Sequence, residues 1–332
     1  MTTIAVLGAG SYGTALAIQL ARRGNATWLW GRDAAMMERL AADRVNADYL
    51  PGCRFPDALT PAADLAAAVR AADDVLLAVP SHAMHALLRV LAPMLKPGQG
   101  IACASKGLEP ETGKLPHEIA AGVAGASRRF AMISGPTFAR EVGQGMPTAV
   151  TVASSDAAFA EKIMHALHGN GFRAYSSDDV VGVEIGGAAK NVVAIGVGIG
   201  DGLGLGANTR AALITRGLAE IMRLGEPLGA RRETFMGLAG LGDLVLTCTD
   251  DQSRNRRLGL ALAKGRKLDA ALAEIRQTVE GVRAAPEVLR LARRHRVDMP
   301  ITEQVVEVLA GRASPIQAVQ SLATRPPRAE ND

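Results

Sequence analysis

The chain has 332 residues, 48% apolar and 21% charged, with 3% aromatics and a formal net charge of +4. That length predicts two domains with ample core, and the apolar balance is ordinary for a soluble globular protein. Scarce aromatics argue against base-stacking surfaces, and a charge this small favours anionic small molecules without arguing for nucleic acid.

Taken in chain order, residues 2–7 form the first buried strand. Gly8-Ala9-Gly10-Ser11-Tyr12-Gly13 follows and opens a helical stretch, TALAIQLARRG. A G-x-G-x-x-G turn between strand and helix is the context of dinucleotide binding. Gly8 permits the tight turn, Gly10 lets the backbone approach a pyrophosphate, and Gly13 permits close helix packing. Free N–H groups at the helix start then meet the phosphates; a plain Gly-rich turn is the alternative. The second strand, residues 26–30, runs into Gly31-Arg32-Asp33. Arg32 favours the 2′-phosphate of NADP(H). Asp33 keeps the ribose of NAD(H) open, or simply caps the next helix. Strands over 75–79, 101–104 and 130–134 alternate with Ala-rich helical segments over 62–71 and 84–95. This alternation predicts an α/β, Rossmann-type doubly wound sheet. Residues 148–153 and 172–176 complete it, with room for an antiparallel pair. Lys106, in ASKGLEPETG, and Gly135-Pro-Thr137, in SGPTFARE, each follow a strand, where ligand-binding loops of such sheets lie.

After Asp178 helical patterns dominate. We divide the chain into a nucleotide-binding domain over 1–182, an all-α C-terminal domain over 183–322 and a disordered tail over 323–332. The uncharged run 192–200 is too short to span a bilayer, so no membrane insertion is expected. Lys190 stands among small apolar residues in EIGGAAKNVVAIG. A lysine there must snorkel, pair or serve chemistry, and burial would lower its pKa into the acid/base range. Asn191 and Glu184 are its nearest candidates for orientation. Asp243 follows a Gly-rich turn. Ser253-Arg254-Asn255-Arg256-Arg257 sets guanidiniums at a helix start, as a phosphate site or a solvated basic face. Glu280, in QTVEG, is a candidate contact to a nucleotide or a helix cap. Cys53, Cys103 and Cys248 form no C-x-x-C, and the spacings His82/His85 and His165/His168 lack partner ligands. No metal and no disulfide framework is expected, and a reducing, cytoplasmic setting fits.

These motifs resemble, in order and from about residue 4 to 320, the bacterial soluble NAD(P)-dependent glycerol-3-phosphate dehydrogenases. The segments are GAGSYGTALA, ASKGLE.ETG, ISGPTFA.E, GGAAKNV.AIG.G..DG...G.N...ALITRGL.E, GLAGLGDL.LTCT...SRNRR and VEG. The resemblance implies interconversion of dihydroxyacetone phosphate and sn-glycerol 3-phosphate, supplying glycerophospholipid synthesis. It implies Lys190 as general acid/base. It implies cofactor contacts at Ser11, Tyr12, Arg32, Lys106, Ala139, Arg254, Thr278 and Glu280, beside the glycines. It implies substrate contacts at Lys106, Gly135, Thr137, Lys190, Asp243, Ser253, Arg254 and Asn255. A small phosphorylated substrate is the expected partner, no nucleic acid is, and a homodimer is compatible with the family. Rival readings are a 3-hydroxyacid or 2-ketopantoate reductase, which the Ser-Arg-Asn triplet disfavours, and a non-catalytic NADP sensor or RNRR-dependent nucleic-acid binder.

Overall fold

The computed structural model describes residues 1–327, 329 and 330. The chain divides into two compact units, one of Met1–Ser105 with Pro116–Val180, the other of Lys106–Leu115 with Val181–Asp332. The second unit thus takes a short segment from within the range expected for the first. The cause is apolar: Leu108 and Leu115 are buried in the second unit's core. In the expected tail, Ala323 ends the last helix, Arg325 pairs with Asp298 and the Glu330 carbonyl accepts from Arg216. Arg328, Asn331 and Asp332 lie outside the described residues.

The first unit runs β1 (Ile4–Leu7), α1 (Ser11–Arg22), β2 (Thr27–Trp30), α2 (Ala34–Asp43), β3 (Val45–Asn46), β4 (Leu50–Arg54), β5 (Leu59–Ala62), α3 (Leu65–Ala71), β6 (Asp74–Leu77), α4 (Ser81–Leu91), β7 (Gly100–Cys103), α5 (Pro116–Ala124), β8 (Phe130–Ser134), α6 (Ala139–Gln144), β9 (Thr148–Ala153), α7 (Ala157–Leu167) and β10 (Phe172–Ser177). Eight strands form one sheet in the order β10-β9-β8-β7-β6-β1-β2-β5. All neighbours are parallel except β8 and β9. This is the doubly wound, Rossmann-type sheet; its antiparallel pair is β8 with β9, while β9 and β10, the two strands expected to complete the sheet with room for an antiparallel pair, run parallel. Strand order reverses between β1 and β6, where Leu7 pairs with both Trp30 and Leu77. The carboxyl end of that point is where such sheets bind ligands.

Strand β5 and the β3–β4 hairpin have no counterpart in the sequence reading. They carry Pro61 and Pro51-Gly52, residues that read as breakers, and Pro61 is tolerated because β5 is the sheet edge. The helix expected from residue 62 begins at Leu65, because the Asp64 carboxylate accepts N–H bonds from Ala66 and Ala67.

The second unit is helical: α8 (Val180–Gly202), α9 (Gly206–Gly225), α10 (Arg232–Met236), α11 (Asp243–Thr249), α12 (Arg254–Ala263), α13 (Leu268–Ile275), α14 (Glu280–Arg294), α15 (Pro300–Leu309) and α16 (Pro315–Ala323). Helix α8 is long and apolar enough to cross a membrane by length alone, but 83% of its apolar window is buried inside the protein. Helices α9, α12 and α14 contribute Leu218, Leu258, Ala285 and Val288 to the core around it. Small residues make this possible: a Cβ on Gly198 would overlap the Arg256 carbonyl, and one on Gly186 would stand 2.6 Å from the Ala239 oxygen.

Candidate active site

In the first unit, the turn after β1 holds its glycines for different reasons. Gly8 has φ +129°, and a Cβ there would lie 2.5 Å from the Ala78 carbonyl oxygen. A Cβ on Gly13 would overlap the Gly8 carbonyl. At Gly10 a Cβ would meet nothing within 4 Å. The protein therefore needs the outer two glycines for its own packing, while the space beside Gly10 is open to a ligand. Gly10 also stands at the start of α1, where no side chain caps the helix. The N–H groups of a helix's first turn and its positive end suit a pyrophosphate. The residues present thus fit the dinucleotide implied by the sequence.

Around this turn, the Tyr12 hydroxyl lies 2.9 Å from Thr137 Oγ1, which itself donates to the Gly135 carbonyl at 3.0 Å. Two expected segments, after β1 and after β8, are therefore brought together. Gly135 has φ +149° and packs where a Cβ would meet the Ala149 oxygen at 2.9 Å. Ala139 begins α6 and packs on the first unit's core. Ser11 is the first residue of α1. Arg32 is exposed at the end of β2, and Asp33 caps α2 by accepting the Met36 N–H at 3.0 Å.

In the second unit, Lys190 is 6% exposed and Asp243 is 1% exposed. The Lys190 ammonium donates to Asp243 Oδ1, and to Thr247 Oγ1 at 2.9 Å. Lys106 Nζ donates to the other oxygen, Asp243 Oδ2, at 2.7 Å. One carboxylate thus holds two ammonium groups. Burial pulls the Lys190 amine down to about 8; the Asp243 charge opposes that shift and the Lys106 charge adds to it. Burial pushes the Asp243 carboxyl up, but the Lys106 and Lys190 charges and their hydrogen bonds together outweigh it and leave it below the usual range.

Thr247 was not anticipated. It lies one turn after Asp243 on α11, and its hydroxyl donates back to the Asp243 carbonyl at 2.6 Å. That bond turns a lone pair toward Lys190. The i, i+4 spacing on one helix face was the available signal. Asp243 and Thr247 therefore hold the amine in place. Asn191 instead accepts from Asn255 Nδ2 at 2.8 Å.

The basic cluster sorts into three environments. Ser253 caps α12, accepting the Arg256 N–H at 3.2 Å. Arg256 is held inside by the Cys248 carbonyl at 3.0 Å, Asp201 at 2.8 Å and Asp251. Arg257 is exposed, and Arg254 is half-buried at the helix start. Burial lowers the Arg254 guanidinium, with the nearby Glu280 carboxylate opposing that shift. Asn255 Oδ1 accepts the Gly281 N–H at 2.9 Å. Thr278 is exposed, just before Glu280 opens α14. The cysteines are free and buried, and among the described residues no group of three or more His, Cys, Asp or Glu is arranged to hold a metal.

A Rossmann-type sheet with an open phosphate turn and a buried, carboxylate-held lysine are the parts of a dinucleotide-dependent oxidoreductase. Family models for the N-terminus and the C-terminus of NAD-dependent glycerol-3-phosphate dehydrogenase match residues 3–160 and 179–320. The chain belongs to that family. It is 53% identical to the glycerol-3-phosphate dehydrogenase (NAD(P)+) of Xanthomonas euvesicatoria pv. vesicatoria, over 97% of this chain and 94% of that protein. The enzyme of the same name from Stenotrophomonas maltophilia strain R551-3 is also 53% identical, over 98% and 96%. The crystal structure of glycerol-3-phosphate dehydrogenase from Coxiella burnetii superposes with a TM-score of 0.94 at 46% identity, covering 98% of this chain and 99% of that one. A ketopantoate reductase from Ralstonia eutropha JMP134 shares the fold, with a TM-score of 0.61 at 14% identity over 96% and 99% of the two chains.

Proposed function

We propose that this chain interconverts dihydroxyacetone phosphate and sn-glycerol 3-phosphate, with Lys190 as general acid/base at the C2 oxygen. The observation that carries the reading is the Lys190 amine, buried, held by Asp243 and Thr247 and lowered to about 8. An amine in that range gives and takes a proton near neutral pH. In reduction its ammonium donates a proton to the C2 oxygen as negative charge develops there. In oxidation the free amine removes the C2 hydroxyl proton. A bound nicotinamide supplies or accepts the hydride. Asp243 and Thr247 keep the amine in one position, and Lys106 adds a second positive charge that favours an anionic substrate.

Ser253, Arg254 and Asn255 take the substrate phosphate in this reading, at the amino end of α12 where N–H groups and a guanidinium coincide. Gly135 and Thr137 complete the substrate set. Gly8, Gly10, Ser11, Tyr12, Gly13, Arg32, Lys106, Ala139, Arg254, Thr278 and Glu280 hold the nucleotide. NADP(H) is favoured over NAD(H) because Arg32 is exposed and an Asp33 oxygen is already committed to the α2 cap. Three free, buried cysteines are compatible with a cytoplasmic enzyme. A homodimer is proposed on the family resemblance alone and is tested by light scattering.

The deciding assay follows NADPH consumption with dihydroxyacetone phosphate and with ketopantoate. Turnover of the first and not the second is expected. The reverse preference overturns the reading.

A further inference from the structure

The second unit contains a chain of amide hydrogen bonds that runs from the helix bearing Lys190 to the proposed phosphate site. Asn191 Nδ2 donates to the Gly187 carbonyl one turn earlier on α8, at 3.3 Å. Its Oδ1 accepts from Asn255 Nδ2 at 2.8 Å, and Asn255 Oδ1 accepts the Gly281 N–H at 2.9 Å. Donor and acceptor alternate, so neither amide can flip without facing like against like. Both side chains are buried. The third member is a glycine because a Cβ there would stand 2.7 Å from Asn255 Oδ1 and 2.8 Å from the Asn191 carbonyl oxygen.

Each member neighbours a residue given a role above. Asn191 follows Lys190, Asn255 follows Arg254, and Gly281 follows Glu280. The chain therefore ties the α8 segment bearing the amine to the α12 start bearing the guanidinium, with α14 as a third anchor. An amide NH2 has two protons. Asn255 Nδ2 directs one of its two N–H groups to Asn191 Oδ1, which fixes the direction of the second.

We infer that Asn191 is a positioning residue: through Asn255 it locks the phosphate grip of α12 in register with the Lys190 amine. Binding energy from a non-reacting phosphate accelerates chemistry at C2 only if the phosphate site and the acid/base keep a fixed separation. The relay supplies that rigidity. The inference rests on the proposed phosphate site at Ser253–Asn255.

The test compares dihydroxyacetone phosphate with dihydroxyacetone, which has the same carbonyl and no phosphate. In Asn191→Ala, kcat/KM for the phosphorylated substrate falls about tenfold or more, the size of one lost positioning contact. With dihydroxyacetone it stays within about threefold. Asn191→Asp keeps an acceptor facing Asn255 and restores most of the difference between the substrates. If Asn191→Ala does not fold, Asn191→Ser, too short to reach Asn255, asks the same question. Equal losses on both substrates assign Asn191 a merely structural role and overturn the inference, as does no loss on either. Arg254→Ala separates this from the reading beneath it. If Arg254→Ala leaves dihydroxyacetone phosphate unaffected, the phosphate site itself is misplaced. If it weakens that substrate while Asn191→Ala changes nothing, only the relay fails.

Discussion

The turn after β1 and helix α8 are both rich in glycine, and they use it in opposite ways. In the turn, Gly10 leaves room beside the uncapped start of α1, where the proposed reading seats the nucleotide phosphates. In α8, Gly186 and Gly198 bring neighbouring backbones so close that the helix is sealed on nearly every side. That sealing buries Lys190 and gives the amine its altered acidity. In the proposed reading, one region thus binds through main chain and asks little of side-chain chemistry. In the same reading, the other concentrates chemistry in one side chain and uses glycine to enclose it.

The largest expected effect tests the enclosed lysine. Lys190→Met keeps an unbranched chain without the charge, and turnover falls about 10²–10⁴-fold while NADPH binding, followed by fluorescence, persists. Lys190→Arg keeps the charge but holds its proton, so it is also nearly inactive. Retained turnover in a folded Lys190→Met protein would reduce the contrast to packing alone.

The turn is broken by a pair of variants. Gly13→Ala forces a Cβ into the Gly8 carbonyl and lowers stability by about 1–3 kcal/mol or more in denaturant unfolding. Gly10→Ala has room within the protein and an ordinary φ of −79°, so its stability changes by about 0.5 kcal/mol at most. Its nucleotide affinity nonetheless drops about tenfold or more, because the added methyl meets the pyrophosphate. Similar stability losses in both would show that Gly10 is a packing glycine too. At the neighbouring strand end, Arg32→Ala raises KM for NADPH about tenfold, as loss of a charge-assisted bond predicts, and changes KM for NADH little. Equal changes would remove Arg32 from cofactor choice.

Proton linkage sharpens the same contrast. The Lys190 amine is lowered to about 8 from an ordinary 10.5. Oxidation needs the free amine, so its kcat rises as pH climbs toward about 8. Reduction needs the ammonium, so its kcat falls above that value. Matched pH–rate profiles in the two directions test both signs. A smaller effect belongs to Glu220, away from the proposed chemistry. Its carboxylate caps α15, accepting N–H bonds from Ile301 at 2.5 Å and Thr302 at 3.1 Å, and the Thr302 hydroxyl at 3.0 Å. Burial nonetheless raises it from 4.5 to about 7. The stability contributed by this raised pKa is complete below about 4.5 and is lost as pH rises through about 7. Glu220→Gln should remove that part of the pH dependence of Tm and leave kcat near neutral pH unchanged.

Sequence alone determined the features that rest on local rules. The strand, G-x-G-x-x-G turn and helix at the amino end follow from alternating apolar runs and from backbone needs that only glycine meets. The change to helices near residue 178 was visible where strand-like runs give way to helical patterns; Lys190 and Asp243 stood out as charged residues in apolar or Gly-rich settings, and Ser253–Asn255 as part of a basic run at a helix start. Tertiary structure decided which of these groups meet. For Thr247 the sequence offers only its i, i+4 spacing from Asp243, and α11 turns that spacing into contacts with Lys190 and the Asp243 carbonyl. Arg254 and Arg256 look alike in SRNRR, yet packing turns Arg256 inward onto Asp201 and leaves Arg254 at the helix start. Lys106–Leu115 joins the helical unit because Leu108 and Leu115 find their apolar partners there. Periodicity and turn chemistry act over a few residues, whereas these outcomes depend on contacts between residues as far apart as Lys106 and Asp243. Only the packed chain brings such residues within hydrogen-bond reach.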